Sequence, residues 1–184
     1  MVKRFEYDDG NIEYRNEYGE LHREDGPAVI WPDGRKHWYK NGKRHREDGP
    51  ALTFPNGREF WFNNGELHRE DGPAVIYSDG TQYWVKNGER HREDGPAVIC
   101  SDGTKEWYKN GELHREDGPA IIWQDGTKEW YKNGKLHRDD GPAVIEPDGT
   151  VEWWLDDEKF SLYEWVHLVN ISDEEKAELI LYYG

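Results

Sequence analysis

The chain has one cysteine, Cys100, one methionine, Met1, and no apolar run near the roughly 18 to 20 residues that a bilayer span needs. A single cysteine excludes an intrachain disulfide and any multi-cysteine zinc site, which fits a reducing compartment. No apolar stretch follows Met1, where the chain reads Val2-Lys3-Arg4-Phe5-Glu6, so the expectation is a cytoplasmic protein that does not enter a membrane. Hydrophobic residues are scarce for an ordinary buried-core enzyme: they make up 34% of 184 residues, matched by 34% charged ones. Aromatic residues are not scarce. Ten Trp, 11 Tyr and 5 Phe exclude a disordered polar chain, and the composition predicts a folded protein with a thin core.

What is present is a repeat. His-Arg-Glu-Asp-Gly-Pro-Ala begins at His22, His45, His68, His91 and His114, and His-Arg-Asp-Asp-Gly-Pro-Ala at His137, always 23 residues apart. Equal spacing without insertion is the mark of a repeat array. Each unit holds two β-favouring runs bounded by an Asp-Gly signal (Asn56-Gly57 in one copy) and an Asn-Gly signal, so each contributes a β-hairpin. A type I turn with Gly34 left-handed sets Trp31 opposite Arg35, Ile30 opposite Lys36, Val29 opposite His37 and Ala28 opposite Trp38. That register predicts an Ala/Trp ladder as the core, with Trp38, Trp61, Trp84, Trp107, Trp130 and Trp153 as its indoles. Residues 1–21 read as an atypical capping hairpin, residues 22–159 as six repeats, and residues 160–184 as a two-helix cap. The helices follow from two capping boxes, Ser161-Leu162-Tyr163-Glu164 and Ser172-Asp173-Glu174-Glu175. Leu162, Trp165, Val166 and Val169, then Ala177, Ile180 and Leu181, form the faces expected to cover the last strand edge. The predicted fold is mainly β: about seven antiparallel hairpins in one elongated twisted sheet with a short C-terminal helical cap.

The phrase Trp-Tyr-Lys-Asn-Gly-Lys-Leu-His, recurring with a second Asp-Gly turn, resembles the MORN repeat and its bacterial variants over about Phe5 to Trp154. It departs from the common pattern where Arg-Glu-Asp-Gly-Pro-Ala replaces the Gly-rich stretch after the His. The resemblance implies stacked hairpins and a scaffold or binding role without catalysis, and the altered box argues against lipid binding. It extends to repeat patterns in phages and large viruses, which implies a viral origin.

The box residues His, Glu and Asp are metal-ligand and acid/base types, but neighbouring copies two strands apart stand roughly 9 to 10 Å from each other, too far to share a zinc ion. The structural reading gives Asp25 the turn amides and pairs Arg23 with Glu24 or with an acid of the next unit; a metal or proton role stays open beside it. No phosphate loop, nucleophile elbow or His-Glu-x-x-His motif is present, so the expectation is no enzyme, no cofactor and no metal. Two surfaces are candidates for a protein partner. One is an aromatic stripe at positions that vary between copies, Trp31, Phe54, Tyr77 and Trp123, with Tyr108 and Tyr131 beside it. The other is an acidic end, Glu146, Asp148, Glu152, Asp156, Asp157 and Glu158, in a chain of net charge −15. The expected partner has a basic surface and, for a viral protein, is a host defence or regulatory factor; a homodimer is a further option. The alternatives are a glycan-binding aromatic module and an acidic mimic of nucleic acid. Direct nucleic-acid binding is not expected, for want of a basic stripe.

Overall fold

A computed structural model describes residues 1–184. The protein is mainly β with two short helices near the C-terminus. It divides into two compact units, Met1–His91 and Arg92–Gly184. Fifteen antiparallel strands make up the main sheet, eight in the first unit and seven in the second.

The first unit opens with a hairpin of β1 (Lys3–Glu6) and β2 (Ile12–Arg15). Its turn is closed by Tyr7 N–H donating to Asn11 O (2.9 Å) and Gly10 N–H to Tyr7 O (2.8 Å), with Gly10 left-handed at φ 81°. The same turn joins β3 (Val29–Ile30) to β4 (Lys36–His37) in the first repeat, where Gly34 sits at φ 90°. Val29 pairs with His37 and Ile30 with Lys36, the register expected of that turn. The Asp33 carboxylate accepts the Arg35 N–H at 3.1 Å, which holds the turn in shape.

Beyond His37 the expected register fails. Ala28 N–H donates to His37 O (2.8 Å), and Trp38 N–H donates to Ala51 O in the next repeat (2.7 Å), so Ala28 and Trp38 are not a pair. The chain leaves the main sheet at Trp38 and makes a second, smaller hairpin, β5 (Tyr39–Lys40) with β6 (Lys43–Arg44). Its two-residue turn is Asn41-Gly42, both left-handed at φ 49° and 75°, as a type I′ turn demands. Each full repeat therefore folds as two hairpins, not one. The small hairpins are tied to the preceding copy, as when Gly65 N–H donates to Arg44 O (2.8 Å).

The core is thin and aliphatic. Ala28, Ala51 and Ala74 have no exposed surface, and Val29, Leu52 and Val75 are buried beside them. Trp38 and Trp61, expected as core, are only half-buried.

In the second unit Ala97, Ala120 and Ala143 repeat the pattern, with Val98, Ile121 and Val144. The last strand, Val151–Leu155, does not bend out as its predecessors do; it runs on into a hairpin with Glu158–Phe160. This buries Trp153 against the helical cap, with its ring 4.7 Å from that of Trp165. Both helices, α1 (Leu162–Leu168) and α2 (Asp173–Tyr183), begin with the predicted capping boxes at Ser161 and Ser172. Leu162, Trp165, Val166 and Val169 are buried as expected, and Trp165 Nε1–H donates to Arg138 O at 3.1 Å. The α2 face is rotated from the one expected: Leu179, Ile180 and Tyr183 pack on the core, while Ala177 and Leu181 face solvent. Neither helix is long and apolar enough to cross a membrane.

Candidate functional site

The conspicuous box is built inward. Five box arginines lie over an aromatic ring of the preceding unit: Arg23 is 4.0 Å from the Tyr14 ring centre, Arg46 4.2 Å from Trp38, Arg69 4.2 Å from Trp61, Arg115 4.2 Å from Trp107 and Arg138 4.1 Å from Trp130. The same guanidinium donates from Nε to the Asp two residues on, at 2.8 Å in Arg23–Asp25, and reaches the Pro27 carbonyl at 3.5 Å. Arg23 thus pairs with Asp25 and not with Glu24. The chain bends over residues 24–26, with Asp25 at the Arg23 guanidinium and Glu24 on the side of His22 Nε2, 3.9 Å away. The box Gly follows from this stack, since a Cβ on Gly26 would lie 3.0 Å from Arg23 Cζ. Hydrogen bonding and charge from the Arg hold Asp25, Asp48, Asp71, Asp94 and Asp117 below the ordinary carboxylate range.

The box His is also engaged. His22 Nδ1 accepts the Asn41 N–H at 3.1 Å, and His45, His68, His114 and His137 do the same 19 residues downstream. An acceptor at Nδ1 puts the ring proton on Nε2, which reaches Glu70 in His68 at 3.1 Å, whereas Nε2 of His114 and of His137 makes no hydrogen bond. The imidazole is a clamp on the left-handed Asn-Gly turn that closes its own repeat.

With the box consumed, the copy-variable positions remain. In the first unit Trp31, Phe54 and Tyr77 form a continuous line, but only together with residues from the facing strands. Trp31 meets His37 (4.3 Å between ring centres), His37 meets Phe54 (5.8 Å), Phe54 meets Phe60 (5.7 Å), Phe60 meets Tyr77 (5.9 Å) and Tyr77 meets Tyr83 (5.5 Å). All five contacts are edge-to-face, the arrangement that the ring quadrupole favours. Sequence reasoning missed His37, Phe60 and Tyr83. Their signal was available: they share one repeat position, six residues after the stripe residue.

In the second unit the same line turns acidic. Trp123, 40% exposed, donates its Nε1–H to Glu129 (2.8 Å), and Tyr131 donates its hydroxyl to the other oxygen of Glu129 (3.0 Å). Burial first, then the Glu129 charge, pushes the Tyr131 hydroxyl up to about 12. Tyr108 lies in one of the small hairpins, paired with Leu113.

No protein-family model matches the chain, and no curated protein matches it. Among solved structures it is similar to the G-box domain of the microcephaly protein CPAP, for which a role in centriole elongation is suggested. The identity is 21%, over 88% of this chain and 99% of that one, with a TM-score of 0.30. At that TM-score the likeness carries no argument about function.

The acidic residues do not form one cluster. Glu146 and Asp148 lie at the turn before the strand Val151–Leu155, and Asp156, Asp157 and Glu158 at the turn after it. Glu152, between them, is half-buried and neutralised by Lys159, with a further bond from Trp154 Nε1–H (2.9 Å). Asp148 and Asp157 have structural work: their carboxylates accept the Thr150 and Leu136 N–H groups, each at 2.8 Å. Asp156 and Asp157 stand where the other repeats have Asn-Gly, at φ 52° and 69°. Successive boxes also flank polar grooves, one of about 700 Å³ between Arg23 and Asp48 and one of about 710 Å³ between His114 and Asp140.

Proposed function

We propose that the chain is a non-enzymatic, MORN-like repeat scaffold that binds a protein with a basic surface through the acidic turns of its second unit, in the cytoplasm. The observation that carries this reading is the contrast between spent and unspent residues. Every box His, Arg and Asp described above is tied to a turn, a ring or a carbonyl, while Glu146 and Glu158 project into solvent and make no ion pair. The viral origin implied by the repeat pattern points to a host defence or regulatory protein as the target class. The glycan alternative is weakened by the edge-to-face line, since a sugar platform needs an open ring face and here neighbouring edges meet those faces. The nucleic-acid mimic is weakened by the uneven charge, because a mimic of a phosphate backbone needs charge along its whole length.

The test begins with capture of the partner by the full chain and its identification by mass spectrometry. Association rates are then compared with salt for the wild type, for Asp156→Asn with Asp157→Asn and Glu158→Gln, and for a control carrying Glu66→Gln, Glu89→Gln and Glu112→Gln. Asn preserves the left-handed turn and keeps an acceptor for the Leu136 N–H, so the fold is retained. The expected result is association slowed roughly 5- to 10-fold at low salt, with a shallower salt dependence, in the first triple variant alone. Equal losses in both variants favour a diffuse polyanion, and no loss in either moves recognition to the aromatic line.

A further inference from the structure

β1 is the first strand of the main sheet and all four of its residues, Lys3, Arg4, Phe5 and Glu6, are exposed. Its inner side is taken by β2, with Lys3 opposite Arg15 and Phe5 opposite Glu13. Because Tyr7 turns its N–H and C=O into the hairpin, alternation makes Phe5 and Lys3 do the same. Arg4 and Glu6 therefore direct their backbone N–H and C=O groups outward, as an open ladder. The strand has no proline and no bulge to block an incoming strand.

We propose that this edge pairs with β1 of a second copy of the chain, antiparallel, in the register that sets Arg4 opposite Glu6 of the partner subunit. Two residues facing each other across an antiparallel ladder must both direct their backbone groups toward it or both away from it. That rule leaves four symmetric registers centred on this strand. Three set a residue against its own copy with like charge, Lys3 against Lys3 of the partner subunit, Arg4 against Arg4 of the partner subunit or Glu6 against Glu6 of the partner subunit; like charges directly opposite are unfavourable. The fourth forms two Arg–Glu pairs, places Phe5 against Phe5 of the partner subunit on the two-fold axis, and sets Lys3 against Tyr7 of the partner subunit. Phe5 then occupies a non-hydrogen-bonded site, where side chains approach most closely. It is 41% exposed in the single chain, and Tyr7 is 45% exposed. Arg4 and Glu6 already share one face, joined by an ion pair of 2.7 Å, so the dimer closes a square of alternating charge. The interface is isologous, as a two-fold contact requires. A contact between two four-residue strands is small beside the roughly 1,200 Å² of a stable complex, so the expected dissociation concentration is on the order of 100 µM.

Sedimentation equilibrium of the full chain up to about 1 mM tests this. The wild type is expected to dimerise, and Arg4→Glu and Glu6→Arg are each expected to weaken self-association at least tenfold with unchanged melting temperature. The register makes a sharper demand. Arg4→Glu carries Glu at both positions and Glu6→Arg carries Arg at both, so an equimolar mixture of the two should recover dimer at wild-type strength. The double variant R4E/E6R should also recover it alone. A wild type that stays monomeric at 1 mM, single variants that dimerise like the wild type, or a mixture that stays monomeric would each overturn the proposal.

Discussion

The two units share one chassis and differ in what they display. At the position facing Val29 and its equivalents the first unit carries His37, Phe60 and Tyr83, and the second carries Glu106, Glu129 and Glu152. The backbone pairing is the same in all six. In the first unit the column closes into an edge-to-face aromatic line; in the second its carboxylates collect indole and phenol donors. Charge follows the same division: Met1–His91 holds 14 Lys and Arg against 17 Asp and Glu, and Arg92–Gly184 holds 10 against 22. A scaffold whose stability comes from Ala burial, the Arg stack and turn clamps leaves that column free to change its chemistry.

If the chassis is common, breaking it should cost the same in both units. Trp61→Ala and Trp107→Ala each remove a ring that stacks under an Arg at 4.2 Å and leave that Arg without its platform. Each is expected to lose about 3 kcal/mol, read by denaturant melts. A large difference between the two would mean that the units are held together in different ways.

Exchanging the columns should be asymmetric. Phe60→Glu places a carboxylate between Phe54 and Tyr77 and forfeits two aromatic contacts, an expected loss of about 2 kcal/mol. Glu129→Phe gives up two hydrogen bonds at a more exposed site and is expected to lose about 1 kcal/mol. Equal losses would show that the column contributes nothing specific in either unit.

Much of this was legible because short-range rules governed it. The Ser161 and Ser172 capping boxes needed only a four-residue pattern, and the Gly34 turn fixed the Val29–His37 register by itself. The departure at Trp38 was not legible, since Trp38, Tyr39 and Lys40 continue the strand pattern with no breaking residue. The contacts that Trp38 makes there, its N–H to Ala51 O and its ring under Arg46, lie eight or more residues on in the chain. The partner of Arg23 was hidden too, because adjacency in the chain favoured Glu24 while the bend over residues 24–26 puts Asp25 at the guanidinium. The α2 face was misjudged because Tyr183, at the end of the helix, packs against Trp153 at 5.5 Å, a contact with a residue far back in the chain. Of the candidate surface, the stripe residues Trp31, Phe54, Tyr77 and Trp123 were visible as variation between copies. Its facing half needed strand pairing to place it.

A further effect separates the columns by pH. Burial, then the charges of Arg44 and Arg35, push the His37 imidazole down to about 4, against about 6.5 for a free histidine. The unfolded chain therefore takes up a proton at this site that the folded chain refuses. Stability contributed by His37 is fully present above pH 6.5 and is lost as pH falls through the window toward 4. In the second unit the equivalent Glu152 is held low by bonds from Lys159 and Trp154, so its contribution is lost only as pH falls below about 4.5. The box carboxylates, Asp25 among them, follow below about 3.8. His37→Phe removes the first window and leaves the others. The wild type should lose on the order of 1 to 2 kcal/mol more than this variant between pH 7 and pH 5, read as the difference of two melting series, and the curves should run parallel below pH 4. Curves parallel over the whole range would mean that His37 accepts its proton without leaving the aromatic line, and the first unit's column would then be no more closed to water than the acidic one.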